Sequence, residues 1–287
     1  MRAKIMRNFV WGTLIIMCSA LGLQAQDSIP KEYQTLVQRY YEYYEAAKPD
    51  SAELTLRQAL AQFPEEPTNF ILRGNLAELL LARQDTTSAL AELSEAIRQQ
   101  PQVTQLRSRR AAVYEELGKY NEALLDLDEL IRQQPTWEIP LFNRARVRST
   151  LGLYEGAIVD LEKIMSINPD AYLPRIALAE AYQKAERALE AEKLLSQLIE
   201  RYPKIPNAYR AMGWLLLRQN RKSEALDKVR YVMNELKDVD KDNYLLRGTI
   251  WRSYGEPKES EKDYAEALRL GATEVEIEHA KHEGKSR

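Results

Sequence analysis

Apolar and polar residues follow one another in short helical stripes, and the pattern restarts every 34 residues between Pro101 and Pro203. Within one period, Leu106, Ala111, Val113, Tyr114 and Leu117 fall on one face of a helix. Gly118 interrupts that stripe, and Ala123, Leu124, Leu127, Leu130 and Ile131 mark a second helix that opens near Asn121. Pro135 ends it, because proline cannot continue a helix and disfavours the helical region for the residue before it. Prolines recur at Pro101, Pro135, Pro169 and Pro203. Each is preceded by alanine at 12 positions (Ala89, Ala123, Ala157, Ala191) and at 24 (Ala77, Ala111, Ala145, Ala179). Leucine precedes each by 8 (Leu93, Leu127, Leu161, Leu195). Such a period predicts a stack of like helical hairpins. The alanines mark where paired helices cross closely, since a larger side chain there would overpack by about 1–3 kcal/mol.

The same columns extend in both directions. Seven periods are predicted, at about 33–64, 70–101, 104–135, 138–169, 172–203, 206–237 and 241–272. Ala52, Leu56 and Ala59 keep phase ahead of Pro64, and three extra residues fall in the Glu65–Thr68 connection. Asp85, Thr86, Thr87 and Ser88 offer polar caps for the helix that follows. Gly213, Leu216, Ala225, Val229 and Val232 hold the phase of the sixth period, although Lys237 replaces its proline. One extra residue follows, and Gly248, Trp251, Gly255, Ser260, Tyr264 and Ala267 complete the seventh. Gly271 stops the array. Thr273 and Glu276 then form a capping box for a short last helix within 273–287, whose Glu274, Glu276, Glu278, Lys281 and Glu283 give the stack a polar end. No strand pattern occurs, so the fold class is all-α.

Ala111, Tyr114, Gly118, Ala123, Leu127 and Pro135 resemble the tetratricopeptide repeat family, as do Ala145, Gly152, Ala157, Leu161 and Pro169 one period on. That family repeats every 34 or so residues. The tryptophan and the leucine-glycine pair early in its pattern are mostly missing, and Arg148 stands where an aromatic is usual. The resemblance implies a right-handed superhelical solenoid of about seven antiparallel helix pairs with a short C-terminal capping helix.

Residues 1–25 stand apart from the repeats. Arg2, Lys4 and Arg7 precede a mainly apolar run from Phe9 to Leu23, and Leu23-Gln24-Ala25 is a small-residue cleavage pattern. A secretory signal peptide is expected, with export to the periplasm or cell envelope. The run of 15 residues is short against the roughly 18 that a membrane-spanning helix needs. Met17 before Cys18 lacks the small residue of a lipoprotein signal. Without the leader the chain keeps 38 basic and 43 acidic side chains and no cysteine. That balance argues against nucleic acid as a partner. It also leaves no disulfide and no thiolate metal site.

Little in the repeats points to catalysis. The only histidines, His279 and His282, fall in the last helix, which removes the usual serine triad from the array. With Glu276 and Glu283 nearby they are read as a solvated charged cap and not as a metal site. No glycine-rich phosphate loop follows a strand. Carboxylate pairs such as Glu115–Glu116 and Asp126–Asp128 are read as solvated helix faces. No enzyme activity, cofactor or metal is expected.

The resemblance implies instead that the first helices of successive repeats line a concave groove for a peptide or partner helix. Transferred by phase, one row is Asn75, Arg109, Asn143, Ala177 and Ala211. The next is Glu78, Ala112, Arg146, Glu180 and Trp214, and a third includes Phe142 and Arg210. Asparagine would pair with a peptide backbone and arginine would fork onto a carboxylate. An outward tryptophan suits an interface. The plainer alternative is that Arg109, Arg146 and Glu180 pair with neighbours on the next helix. Tyr41 and Tyr44, in a cluster with Tyr33, Tyr40 and Tyr43, either cap the open first repeat or contact ligand. The arrangement that grips a C-terminal carboxylate in chaperone-binding members is half present: Asn75 and Arg109 fit, whereas Gln105, Val37 and Tyr41 replace its other polar residues. The function expected is an exported scaffold that holds a segment of an envelope protein. The alternative is an exported carbohydrate-binding or nutrient-uptake accessory, against which the lack of large insertions weighs.

Overall fold

The computed structural model describes residues 29–283. The expected signal peptide over 1–25, with Cys18, lies outside them. The described residues form fifteen helices and no strand. They divide into two compact units, the first ending at Leu117 and the second beginning at Gly118.

The first unit holds α1 (Lys31–Glu45), α2 (Pro49–Gln62), α3 (Asn69–Ala82), α4 (Thr86–Gln99) and α5 (Thr104–Glu116). Each helix packs on the one before it. Its core joins Tyr33, Leu36 and Tyr40 of α1 to Ala52 and Leu56 of α2, Leu76 and Ala77 of α3, and Ala89 and Leu93 of α4. The three extra residues before α3 are stapled down by side chains. Asn69 donates from Nδ2 to the carbonyls of Phe63 (2.7 Å) and Pro64 (3.2 Å), and its Oδ1 accepts from the Tyr33 hydroxyl at 3.2 Å. Burial pushes the Tyr33 phenol up to about 12.

The second unit holds α6 (Tyr120–Gln133), α7 (Glu138–Thr150), α8 (Tyr154–Ile167), α9 (Tyr172–Lys184) and α10 (Ala188–Arg201). It continues with α11 (Pro206–Arg218), α12 (Lys222–Asn234), α13 (Lys241–Ser253), α14 (Pro257–Arg269) and α15 (Glu274–Glu283). The pairs α7/α8, α9/α10, α11/α12 and α13/α14 are hairpins, and the second helix of each rests on the first helix of the next. First helices also touch in series, α7 with α9, α9 with α11 and α11 with α13, whereas the second helices make no substantial contact with one another. The first helices are therefore the inner layer of this unit.

The sequence columns explain this packing. The alanines at 12 and 24 positions before each proline are all at most 1% exposed, and the leucines of the third column at most 2%. Where the second of those columns becomes glycine, space has run out. A Cβ on Gly248 would stand 2.9 Å from the ring of Tyr264, itself 1% exposed. Between first and second helices, Ala47, Gln84, Gly118, Gly152, Glu186, Asn220 and Gly255 all have positive φ. The residues after Ala47, Gln84, Gly152, Glu186, Asn220 and Gly255 return their amides to a carbonyl five positions back, as in Leu153 to Arg148 (2.8 Å) and Arg187 to Tyr182 (2.8 Å). This is the Schellman closure of a helix end. The geometry of that turn holds in repeats that lack glycine there.

One expectation is overturned. Asp126 is 2% exposed, so the Asp126–Asp128 pair is not a solvated face. The equivalent Asp160, 1% exposed, shows why an acid is stable at that column. Arg144 of α7 forks onto it at 2.9 and 2.5 Å, and Arg148 adds a bond at 2.7 Å. Arg247 holds Asp263 in the same way, at 2.9 and 2.6 Å. Arg148, in the place of the usual aromatic, bonds through Nη1 to Asp160 and to the carbonyl of Gly156 at 3.1 Å.

The last helix makes the expected capping box. The Thr273 amide donates to Glu276 Oε2 at 2.8 Å, and the Glu276 amide donates to Thr273 Oγ1 at 3.2 Å. Only Ile277 and Ala280 of α15 are buried, which stabilises its docking by roughly 2–4 kcal/mol.

Candidate interaction surface

The candidate residues fall on first helices of both units. In the first unit, Asn75 and Glu78 stand one turn apart on α3, and Arg109 lies on α5. Arg109 donates to Glu78 at 2.7 and 3.0 Å, a bidentate pair across neighbouring first helices. The arginine fork thus already has a carboxylate, with both side chains little more than a third exposed. Asn75 is buried, and its Nδ2 makes no hydrogen bond among the described residues. A buried amide donor without an acceptor costs about 1–3 kcal/mol, so this position favours an added carbonyl or water. Tyr41 and Tyr44 are half-buried against the ring of Tyr40, at 4.9 and 6.0 Å between centroids.

In the second unit, residues four and then three or four apart on each first helix share its face. On α7 the row is Ile139, Asn143 and Arg146; on α9 it is Leu173, Ala177, Glu180 and Lys184; on α11 it is Asn207, Ala211, Trp214 and Arg218. Ile139 and Leu173 hold equivalent positions and are 63% and 51% exposed. Phe142 is half-buried against the apolar cluster of α7 to α9, Asn143 is half-buried, and Arg146 is exposed. Glu180 has open surface, yet the protein around it displaces enough water to raise its pKa, with Arg218 and Lys184 opposing the rise.

Two candidates of this unit are committed to the protein itself. Arg210 bonds Asp238 (2.6 Å), Asn243 (3.1 Å) and Asn207, with its side chain 12% exposed. The cause is local: without a proline at Lys237 the chain turns with positive φ, and Asn243 with Arg210 ties that connection down. Trp214 is not a bare outward ring. It is half-buried and packs against the core cluster of α9 to α13 and against the cluster that includes Ile277 and Ala280 of α15. Lys184 and Arg218 were missed, although each stands four residues beyond a candidate, Glu180 or Trp214. Among the described residues no group of three or more His, Cys, Asp or Glu could hold a metal ion, and no helix is long and apolar enough to cross a membrane.

A tetratricopeptide repeat family model matches residues 43–112 and 150–215. A crystal structure of a tetratricopeptide repeat protein from Parabacteroides merdae superposes with a TM-score of 0.72 at 23% identity, covering 89% of this chain and 99% of that one. The chain is a tetratricopeptide repeat protein. The type IV pilus biogenesis factor PilW matches with a TM-score of 0.56 at 16% identity, over 74% of this chain and 98% of its own. MamA from Desulfovibrio magneticus, from residue 41 to its end, matches with a TM-score of 0.51 at 13% identity, over 60% and 95%. Identities this low establish the shared fold and nothing finer. No curated protein matches the sequence. A tetratricopeptide fold is a scaffold for protein–protein interaction, and its inner layer of first helices here carries the exposed apolar and charged rows just described.

Proposed function

We propose that this tetratricopeptide protein is an exported scaffold whose first-helix face holds a segment of a partner protein in the cell envelope. The observation that supports it most is the pair Ile139 and Leu173, both apolar and both more than half exposed at the same phase of adjacent inner helices. Single exposed apolar residues are ordinary, but a matched pair on a layer with no structural use for it favours a partner. Below them stand Asn143 and Arg146 on α7 and Glu180 and Lys184 on α9, which suit a segment with one apolar side and backbone or carboxylate groups to pair. The unpartnered Asn75 amide adds a similar demand in the first unit. The basic, apolar start of the sequence and its small-residue motif at Leu23–Ala25 support export.

The test is affinity capture from an envelope extract with the full chain and its Ile139→Glu/Leu173→Glu variant. Thermal unfolding confirms that the variant is folded, as exposed positions shift stability by little. The partner captured by the wild type is lost from the variant. An unchanged set of captured proteins would show that the face is not the binding surface.

A further inference from the structure

The inner layer of the second unit is already covered at one end by this chain. Helix α15 packs on α13, with Thr249 donating to the Ala280 carbonyl at 3.4 Å and Lys241 bonded to Glu276 at 2.5 Å. Its last residue reaches further: Arg218 on α11 forks onto Glu283 at 2.9 Å through both nitrogens. Arg218 and Trp214 belong to the face row of α11, and Trp214 shares an apolar cluster with Ile277 and Ala280. The same arginine also faces Glu180. A segment of this chain therefore uses the side chains that continue the proposed binding face.

We propose that α15 is a resident occupant, and that the partner segment for this end of the face is an acidic amphipathic helix of the same design. Resting as it does on the proposed interaction face, this names the chemistry of what that face takes: a ridge of isoleucine and a small residue three positions on, with a carboxylate placed for Arg218. The pattern Glu274, Glu276, Glu278 and Glu283 around Ile277 and Ala280 is the example the chain carries. Exchange is built into the balance of contacts. Helix α15 buries two residues, whereas α11 buries eight and α13 six, and its remaining anchors are the long Thr249–Ala280 hydrogen bond and ion pairs with water at hand. Such anchors are replaced by equivalent ones from another helix with little net change, so a competing helix needs only a modest excess of affinity.

The probe is a fluorescent synthetic peptide of residues 272–287, and the protein is the full chain. Fluorescence anisotropy compares the wild type with Ile277→Asp/Glu283→Lys, in which α15 is loosened. The peptide binds the loosened chain about tenfold more tightly, because the self-occupied fraction no longer reduces its apparent affinity. Adding Arg218→Glu to that chain abolishes binding, and a peptide carrying Glu283→Arg restores it. Equal binding to wild type and loosened chain, or none to either, overturns the proposal. Should the loosened chain lose its helical circular dichroism, hydrogen exchange on the wild type decides instead. Amides of α15 then exchange at least about tenfold faster than those of α13 if the helix opens on its own, and equal protection overturns the proposal. Neither measurement uses Ile139 or Leu173, so failure here and failure of the face as a whole give different results.

Discussion

The neighbouring hairpins α7/α8 and α9/α10 close with the same turn, and four of the aligned columns at which they differ show how each is held together. In α7/α8 the columns hold Arg144, Arg148, Gly152 and Asp160; in α9/α10 they hold Leu178, Tyr182, Glu186 and Leu194. The first hairpin is closed by a buried carboxylate gripped by two guanidiniums. The second is closed by leucines, with Tyr182 packed beside them and its hydroxyl donating to Glu162 at 2.6 Å. The repeat therefore prescribes volume and contact at these columns, and either chemistry supplies them if every member agrees. A half-changed set is the costly state, because breaking a buried ion pair strands a charge while replacing it whole is close to neutral.

The largest effect should come from Asp160→Leu, which removes the buried carboxylate that Arg144 and Arg148 share and leaves Arg144 only the more exposed Asp128. It should destabilise the protein by about 3 kcal/mol or more in urea unfolding. A loss below about 1 kcal/mol would mean that the arginines had never depended on that carboxylate. The converse, Leu194→Asp, places an acid opposite Leu178 and should cost about 1–3 kcal/mol by the same measurement. Importing the whole neighbour set as Arg144→Leu, Arg148→Tyr and Asp160→Leu should bring stability back to within about 1 kcal/mol of wild type. A triple variant as unstable as the single one would end the idea of interchangeable chemistries. At the turn, Glu186→Gly should gain about 0.5–1 kcal/mol and Gly152→Glu should lose a similar amount, since only glycine enters the left-handed region without steric cost. Differential calorimetry of the two variants reads the sign directly.

A smaller and local effect concerns acid. Hydrogen bonds from Lys241 and then from the Thr273 amide lower the Glu276 carboxyl from 4.5 to about 2. A lowered folded value means that its contribution is complete above about 4.5 and is lost as pH falls towards 2. Amide resonances of α15 should therefore broaden or shift in that window while those of α9 and α10 stay in place. An α15 unchanged down to pH 2 would remove Glu276 as an anchor.

The proline, alanine and leucine columns made the hairpins legible because close packing admits few substitutes at those positions. The turn column was legible only at Gly118, Gly152 and Gly255. Gln84, Glu186 and Asn220 take the same positive φ because the packed helices on both sides impose it. The Asp160 clasp was hidden, since an acid on an amphipathic helix normally faces water. A signal did exist: Arg144 to Asp160 and Arg247 to Asp263 share a spacing of 16, which joins the two helices of one hairpin. Arg210 has internal partners that its place in the repeat does not announce. Its phase is that of a groove residue, but the missing proline at Lys237 creates a local need for its donors. The covering of Trp214 could not be read at all, because only the folded chain brings residue 277 back to residue 214.

In the second unit the first helices touch in series while the second helices stay apart. A stack joined along its inner edge and open along its outer one behaves like a leaf spring. Small changes of angle between hairpins accumulate over four of them, and each is absorbed by sliding side chains without parting any helix from its mate. Under the proposed function, guests of somewhat different girth would then be gripped by one and the same row of residues.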